Sequence, residues 1–277
     1  MSFQQTRRSL RPLGRPTRGK TAPNRLRKTD TFLLIAYLEW VRHLDGFYVD
    51  LGYGAYPHTT LETLRRLRRI NASLRILGVE IDPERVLEAR TVTEAGLEFR
   101  RGGFNLPLEP GERVSVIRMF NVLRQYPEGE VVEALDILAN QIVEGGLLLE
   151  GTCDPAGRLL TFNLFQKHGR QLERIALVLA PSLSAAFLPR QFQAVLPKNF
   201  IHHAESGGPI DEFFAAWHAA WQSARRQTLD RRRVFQQAAL RLADQAGYSL
   251  DRRPTLLRRG FLCLGPDWPA HRQAVQE

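Results

Sequence analysis

"VDLGYGAYP", residues 49–57, and "LGVEIDPERV", residues 77–86, decide how this chain folds. The first closes the apolar run "GFYVDLG" with a glycine turn, which is how a buried strand ends before a helix. The helix follows in "PHTTLETLRRLRRI", where Leu61, Leu64 and Leu67 recur at helical spacing. The second stretch ends the strand "LRILGVEI", and Asp82 with Pro83 supplies a cap and a first-turn proline for the helix "PERVLEAR". Working outward, "LEFRRG", "VSVIRMF" and "GLLLEGT" read as three more strands. The last two are separated by the helical "GEVVEALDILANQI", with Gly145 and Gly146 expected to end it. Strands alternating with helices imply a parallel sheet covered on both faces.

Before this unit, "TDTFLLIAYLEWVRHL" predicts one helix from Thr29, capped by Thr29 or Asp30. After Pro155 the alternation fails. "LLTFNLFQKHGRQLERIALVLA" fits a hairpin turning at "KHGR" or a helix followed by a strand, and residues 181–209 have no sustained period. "IDEFFAAWHAAWQSARR" and "DRRRVFQQAALRLADQAGYSL" are helices, the second closing at Gly247, and "RGFLCLG" is a terminal strand. The expectation is a doubly wound α/β fold with a mostly parallel sheet of about seven strands. It divides into a basic flexible arm at 1–28, a core at 29–157, an inserted substrate-recognition region at 158–228, and a closing helix and strands at 229–277.

The 277 residues are 43% hydrophobic, enough for a substantial core. No apolar run is long enough for a membrane span and the start lacks a secretory h-region, so a cytoplasmic protein is expected. Two distant cysteines, Cys153 and Cys263, argue against a disulfide framework or a CxxC metal site, and no metal is expected. Of the net charge of +10, nine charges fall in residues 1–28, which contain no acid. Such an arm either neutralises phosphates of RNA or DNA, with salt-sensitive affinity, or is a solvated tail. Within it, "GRPTRGKT", residues 14–21, fits G-x-x-x-x-G-K-[ST]. A phosphate loop requires a buried strand before and a helix after, and the flanking arginines and prolines supply neither, so a nucleotide hydrolase is the third reading.

The two opening stretches together resemble the class I S-adenosylmethionine-dependent methyltransferases: D/E-x-G-x-G after the first strand and an acid ending the second. The resemblance continues through "FRRGGFNLPL", "FNVLRQYPEGEVVEAL", "EGGLLLEGT" and "LADQAGYSL...RRGFLCLG". It implies methyl transfer with S-adenosyl-L-methionine as cofactor and an acceptor that is a nucleic acid or a small metabolite. Gly52, Tyr53 and Gly54 would then lie along the methionine part, and Asp50 would hold the glycine loop or, through water, the cofactor's amino group. Glu80, with Ile81 beside it, would accept the ribose hydroxyls. Two departures stand out. The third motif glycine is Tyr56, and the family's Gly-Asp after the third strand aligns with Gly102 and Gly103, leaving adenine to Phe104, backbone groups and Asn105. A dinucleotide-binding domain is the related possibility, but its fingerprint needs a glycine where Tyr56 stands.

Ligands of such sheets lie beyond the carboxyl ends of the strands. That places Asn121, Arg124, Gln125 and Tyr126 after the fourth strand, and Glu150, Thr152, Cys153 and Asp154 after the fifth, near the reacting methyl. Tyr126, Asp154 and His202 are candidates for binding or deprotonating the acceptor. Asp154 equally suits a cap, and His202 with His203 equally suits two exposed rings without a role. Trp217 and Trp221 share a helical face and read as packing. The reading from another functional class is a non-catalytic nucleic-acid-binding protein on a degenerate methyltransferase fold.

Overall fold

The computed structural model describes residues 11–183, 187–201, 203–204 and 206–269. After an irregular entry, α1 (Arg27–Ala36) and α2 (Leu38–Arg42) lead into β1 (Phe47–Leu51), α3 (His58–Leu67), β2 (Ile76–Glu80), α4 (Pro83–Ala89) and β3 (Leu97–Arg101). The chain continues through β4 (Val114–Phe120), α5 (Glu128–Ala139), β5 (Ile142–Cys153), β6 (Leu159–His168) and β7 (Gln171–Pro181). Then come α6 (Lys198–Ile201), α7 (Pro209–Arg225), α8 (Arg231–Ala246), α9 (Pro254–Leu257) and β8 (Leu262–Leu264).

The eight strands form one sheet in the order β3-β2-β1-β4-β5-β6-β7-β8. Pairing is parallel from β3 through β5 and antiparallel from β5 to β8. Successive strand residues face opposite sides, so each strand feeds two cores. Tyr48, Val116, Leu149 and Phe162 meet Phe32, Leu33 and Leu64 from α1 and α3. Val49, Ile117, Met119 and Leu148 meet Val131, Ala134 and Leu138 of α5. Further along the sheet, Leu177, Leu179, Leu262 and Leu264 pack under Phe213, Trp217, Trp221 and Phe235 of α7 and α8. Both tryptophans are therefore packing residues, and residues 158–228 extend this sheet through β6 and β7 and cover it with α7.

Several local expectations are refined. The hairpin alternative for 159–181 is the one adopted, turning at Gly169 with φ +56° and bringing the sheet to eight strands. The helix expected from Thr29 is two, broken at Tyr37, whose backbone leaves the helical region. Neither Thr29 nor Asp30 caps it: both are buried within α1. Gly145 and Gly146 do not end α5. They belong to β5, where Gly145 at φ +72° accommodates an irregular register against β4. Asp82 is the cap expected of it, its carboxylate accepting from Glu84 N at 3.0 Å and Arg85 N at 3.5 Å.

Candidate functional site

β1 has β2 on one side and β4 on the other, so the chain reverses direction across the sheet at β1. Such a switch point leaves a crevice beyond the strand ends, which is where ligands of doubly wound sheets bind. The fold is Rossmann-like. The glycine loop after β1 enters this crevice with Gly52 at φ +74° and Gly54 at φ +90°, a region that residues with a Cβ rarely adopt. A Cβ on Gly52 would stand 2.7 Å from Val122.

Glu80 closes β2 with its carboxylate 1% exposed. Gly54 N donates to Oε2 at 3.1 Å and Ile81 N to Oε1 at 2.9 Å, so one buried acid ties the glycine loop to the tip of the next strand. Arg85 stands 3.7 Å away and balances its charge. Beside Glu80 runs a groove walled by Ile81, Gly103, Phe104, Val122 and Tyr126. Beyond Gly54 the groove opens into a cleft of about 570 Å³ lined by Tyr53, Phe120, Asn121, Arg124 and Cys153. Four cations reach this cleft, Arg18, Lys20, Arg25 and Arg124. Among the described residues none of the four is paired with a carboxylate there; Arg25 donates to the backbone carbonyls of Lys20, Cys153 and Asp154.

Asp50 lies at the base of the cleft, but its side chain serves another purpose. Arg118 Nε donates to Oδ1 at 3.0 Å and Nη2 to Oδ2 at 2.7 Å, while Thr60 Oγ1 donates to Oδ2 at 2.7 Å. The third Arg118 nitrogen reaches Asp30 at 3.1 Å, and Arg66 pairs with Asp30 at 2.7 Å. Two carboxylates and two guanidiniums thus neutralise each other between β1, β4, α1 and α3. Asn121 follows β4 at φ +58°, and its amide holds β5: Cys153 N donates to Oδ1 at 3.1 Å and Nδ2 donates to Cys153 Sγ at 3.2 Å. Burial pushes the Cys153 thiol up, keeping it protonated at neutral pH, the state of an inert packing cysteine.

The other sequence candidates take distinct positions. The Tyr53 ring is buried against Phe99, and Tyr56 is exposed and stacked on His58, away from the groove. Asp154 accepts from Leu159 N at 2.9 Å and caps the β5–β6 turn. Glu150 projects to the opposite side of β5 from Cys153, where Asn163 Nδ2 donates to it at 2.9 Å, and burial pushes its carboxyl up to about 7. The Tyr126 hydroxyl accepts from Arg15 N, and its ring packs on Phe104. His202 lies outside the described residues.

Sequence reasoning did not anticipate that part of the basic arm lies in the groove. Residues 11–20 run across the strand ends, and among the described residues no helix follows Thr21 until α1 at Arg27, so "GRPTRGKT" lacks the helix N-terminus that a phosphate loop needs. The signal was present in Gly103, whose missing Cβ leaves room for the backbone of Leu13. Arg118 was likewise overlooked, although an arginine inside the apolar strand "VSVIRMF" demands buried acids.

No family model matches the chain, and no curated protein matches it. Several solved structures overlap it in part. The LepI complex with SAM aligns at 17% identity and TM-score 0.35 over 42% of this chain and 30% of that one. The N-methyltransferase NodS from Bradyrhizobium japonicum WM9 aligns at 18% identity and TM-score 0.34 over 46% and 67%. The citrinin polyketide synthase CMeT domain aligns at 15% identity and TM-score 0.38 over 48% and 36%. The chain thus spans about a third of the length of LepI. Among the described residues no helix is long and apolar enough to cross a membrane, and no group of three or more His, Cys, Asp or Glu comes together as metal ligands would.

Proposed function

We propose that this chain is an S-adenosylmethionine-dependent methyltransferase acting on an anionic acceptor. The observation that carries the reading is Glu80. It is a buried carboxylate at the tip of β2, bound to the N–H of Gly54 and bordering a groove between Ile81 and Phe104. Its Oε2 accepts one N–H and retains a lone pair, which suits a ribose hydroxyl. Ile81 and the Phe104 ring would hold adenine, with Phe104 N–H and Asn105 as polar partners. Gly52 and Gly54 let the backbone come close to the methionine half in the cleft. When bound, the cofactor supplies an electrophilic methyl group.

The chain's own contribution is mainly positioning. Asp154 is engaged by the turn it caps and is not placed to take a proton from an acceptor, while the Tyr126 hydroxyl accepts from Arg15 as long as the arm lies in the groove. Leu26, Phe120 and Cys153 make a low-dielectric wall of the cleft, and Arg18, Lys20, Arg25 and Arg124 give it one sign of charge. An acceptor bearing carboxylate or phosphate is favoured there, a class that includes both small metabolites and RNA. Two buried thiols without a disulfide suit a reducing, cytoplasmic setting.

Mass spectrometry of the purified protein for S-adenosylmethionine or S-adenosylhomocysteine, followed by calorimetry, tests the cofactor. Methyl transfer to RNA, anionic metabolites and neutral amines then tests the acceptor. Arg124→Gln should raise KM for an anionic acceptor while leaving S-adenosylhomocysteine affinity unchanged. Preference for neutral amines would overturn the acceptor assignment.

A further inference from the structure

We propose that residues 11–17 are the resting ligand of the groove beside Glu80, a strap that must lift before the adenosine of the cofactor can enter. This inference rests on the methyltransferase reading of that groove. The strap is bound along its length. Leu13 N donates to Asn105 Oδ1 at 2.6 Å, Phe104 N donates to Leu13 O at 2.8 Å, and Asn105 Nδ2 donates to Arg11 O at 3.1 Å. Arg15 N donates to the Tyr126 hydroxyl, and the Arg15 guanidinium pairs with both Glu130 oxygens at 2.8 and 2.9 Å. Arg85 Nη2 holds Thr17 O at 3.0 Å, and Ala55 N, beside the glycine loop, donates to Gly19 O at 2.9 Å.

The groups engaged are those an adenine would need. Leu13 offers an N–H and a C=O side by side to Asn105 Oδ1 and Phe104 N–H, the donor–acceptor pattern of adenine's amino group and adjacent ring nitrogen. With the strap in place the groove keeps about 20 Å³, room for roughly one water. Adenosine and strap therefore exclude each other. The sequence is fitted to the strap as well. A Cβ on Gly103 would stand 1.9 Å from Leu13 O, so the glycine at this position, where the resembled family has aspartate, leaves space for the strap backbone. Gly14 adopts φ +134° between Tyr126, Phe104 and Ile81.

Release is within reach. Leu13 is 47% exposed, and the Arg15–Glu130 pair is solvent-exposed, so the strap rests on the surface and is not part of a core. A competitor of this kind lowers apparent cofactor affinity by the fraction of molecules with the strap lifted.

The test compares the full chain with its Gly14→Val/Arg15→Glu variant, which strains the strap and sets a like charge against Glu130 without altering a group that faces the cofactor. Arg15→Glu alone serves as the milder variant, with melting temperature as the check on folding. Calorimetry with S-adenosylhomocysteine should show at least about tenfold tighter binding to the double variant. In the wild type the trypsin-sensitive bonds next to the strap are Arg18–Gly19 and Lys20–Thr21, since Arg11 and Arg15 precede prolines, and S-adenosylhomocysteine should accelerate cleavage at them. Equal affinity for both proteins, or slower cleavage on ligand binding, would overturn the strap as a competitor and make it a cover over bound ligand. Binding to neither protein would instead overturn the methyltransferase reading.

Discussion

At the scale of single residues, three buried acids do different work because their surroundings differ. Glu80 accepts three backbone N–H groups, from Gly54, Ile81 and Asp82, and keeps capacity for a hydroxyl on Oε2, so Glu80→Gln, which puts an amide where only acceptors are wanted, should weaken S-adenosylhomocysteine binding by about tenfold or more. Calorimetry on the folded variant checks this. Asp50 is held by Arg118, and removing that cation leaves Asp50 and Asp30 buried with Arg66 alone to answer them. Arg118→Leu should cost roughly 3–5 kcal/mol, measured by urea unfolding. Among the described residues Glu150 has no cation, only Asn163. Its carboxyl, pushed up to about 7, holds in the folded state a proton that the unfolded chain has already released. The sign follows: this contribution is fully present below pH 4.5 and is lost as pH rises through about 7, on the order of 3 kcal/mol in all. Glu150→Gln should therefore raise the urea midpoint at pH 8 and change it little at pH 5.

At the scale of elements, the glycine loop is where strand, helix and strap meet. Gly52→Val places a β-branched side chain at φ +74° with its Cβ against Val122, which should cost about 2 kcal/mol and abolish cofactor binding in the same calorimetric assay. Elements with strong local signals were legible in the sequence: β1 and β2 by their apolar runs, α4 by Asp82–Pro83, α8 by Gly247, whose φ of +72° ends the helix. Those decided by tertiary contact were not. The region 159–181 is a hairpin because β5 offers its edge to β6, information absent from local periodicity. The acid and glycines of the groove were readable from order and spacing. The strap was not, since a run of arginine, glycine and proline carries no period and its partners lie some ninety residues away in sequence.

At the scale of the whole molecule, β6, β7 and β8 continue the same sheet as β1–β5, and Val178 and Ala180 of β7 share a core with Leu33 and Tyr48. Unfolding should accordingly be a single transition. Calorimetric scanning and tryptophan fluorescence, which reports Trp40 on one core and Trp217, Trp221 and Trp268 in the other, should give coincident midpoints, whereas a separate melt of the C-terminal half would contradict one continuous core. The sheet ends at β3 and β8, and its composition at those margins bears on how the protein survives at high concentration. β8 is three residues long and its outer side is already covered by residues 249–251, Asp251 N donating to Cys263 O at 2.9 Å, so it offers little to a foreign chain. β3 presents five, but Glu98, Arg100 and Arg101 stud it with charge, and Arg100 is clamped by Glu98 and Glu112. Adding another strand would require stripping water from those charges, so the margin acts as a guard against self-association and fibrillar stacking. The guard is electrostatic in part and should weaken as salt screens it.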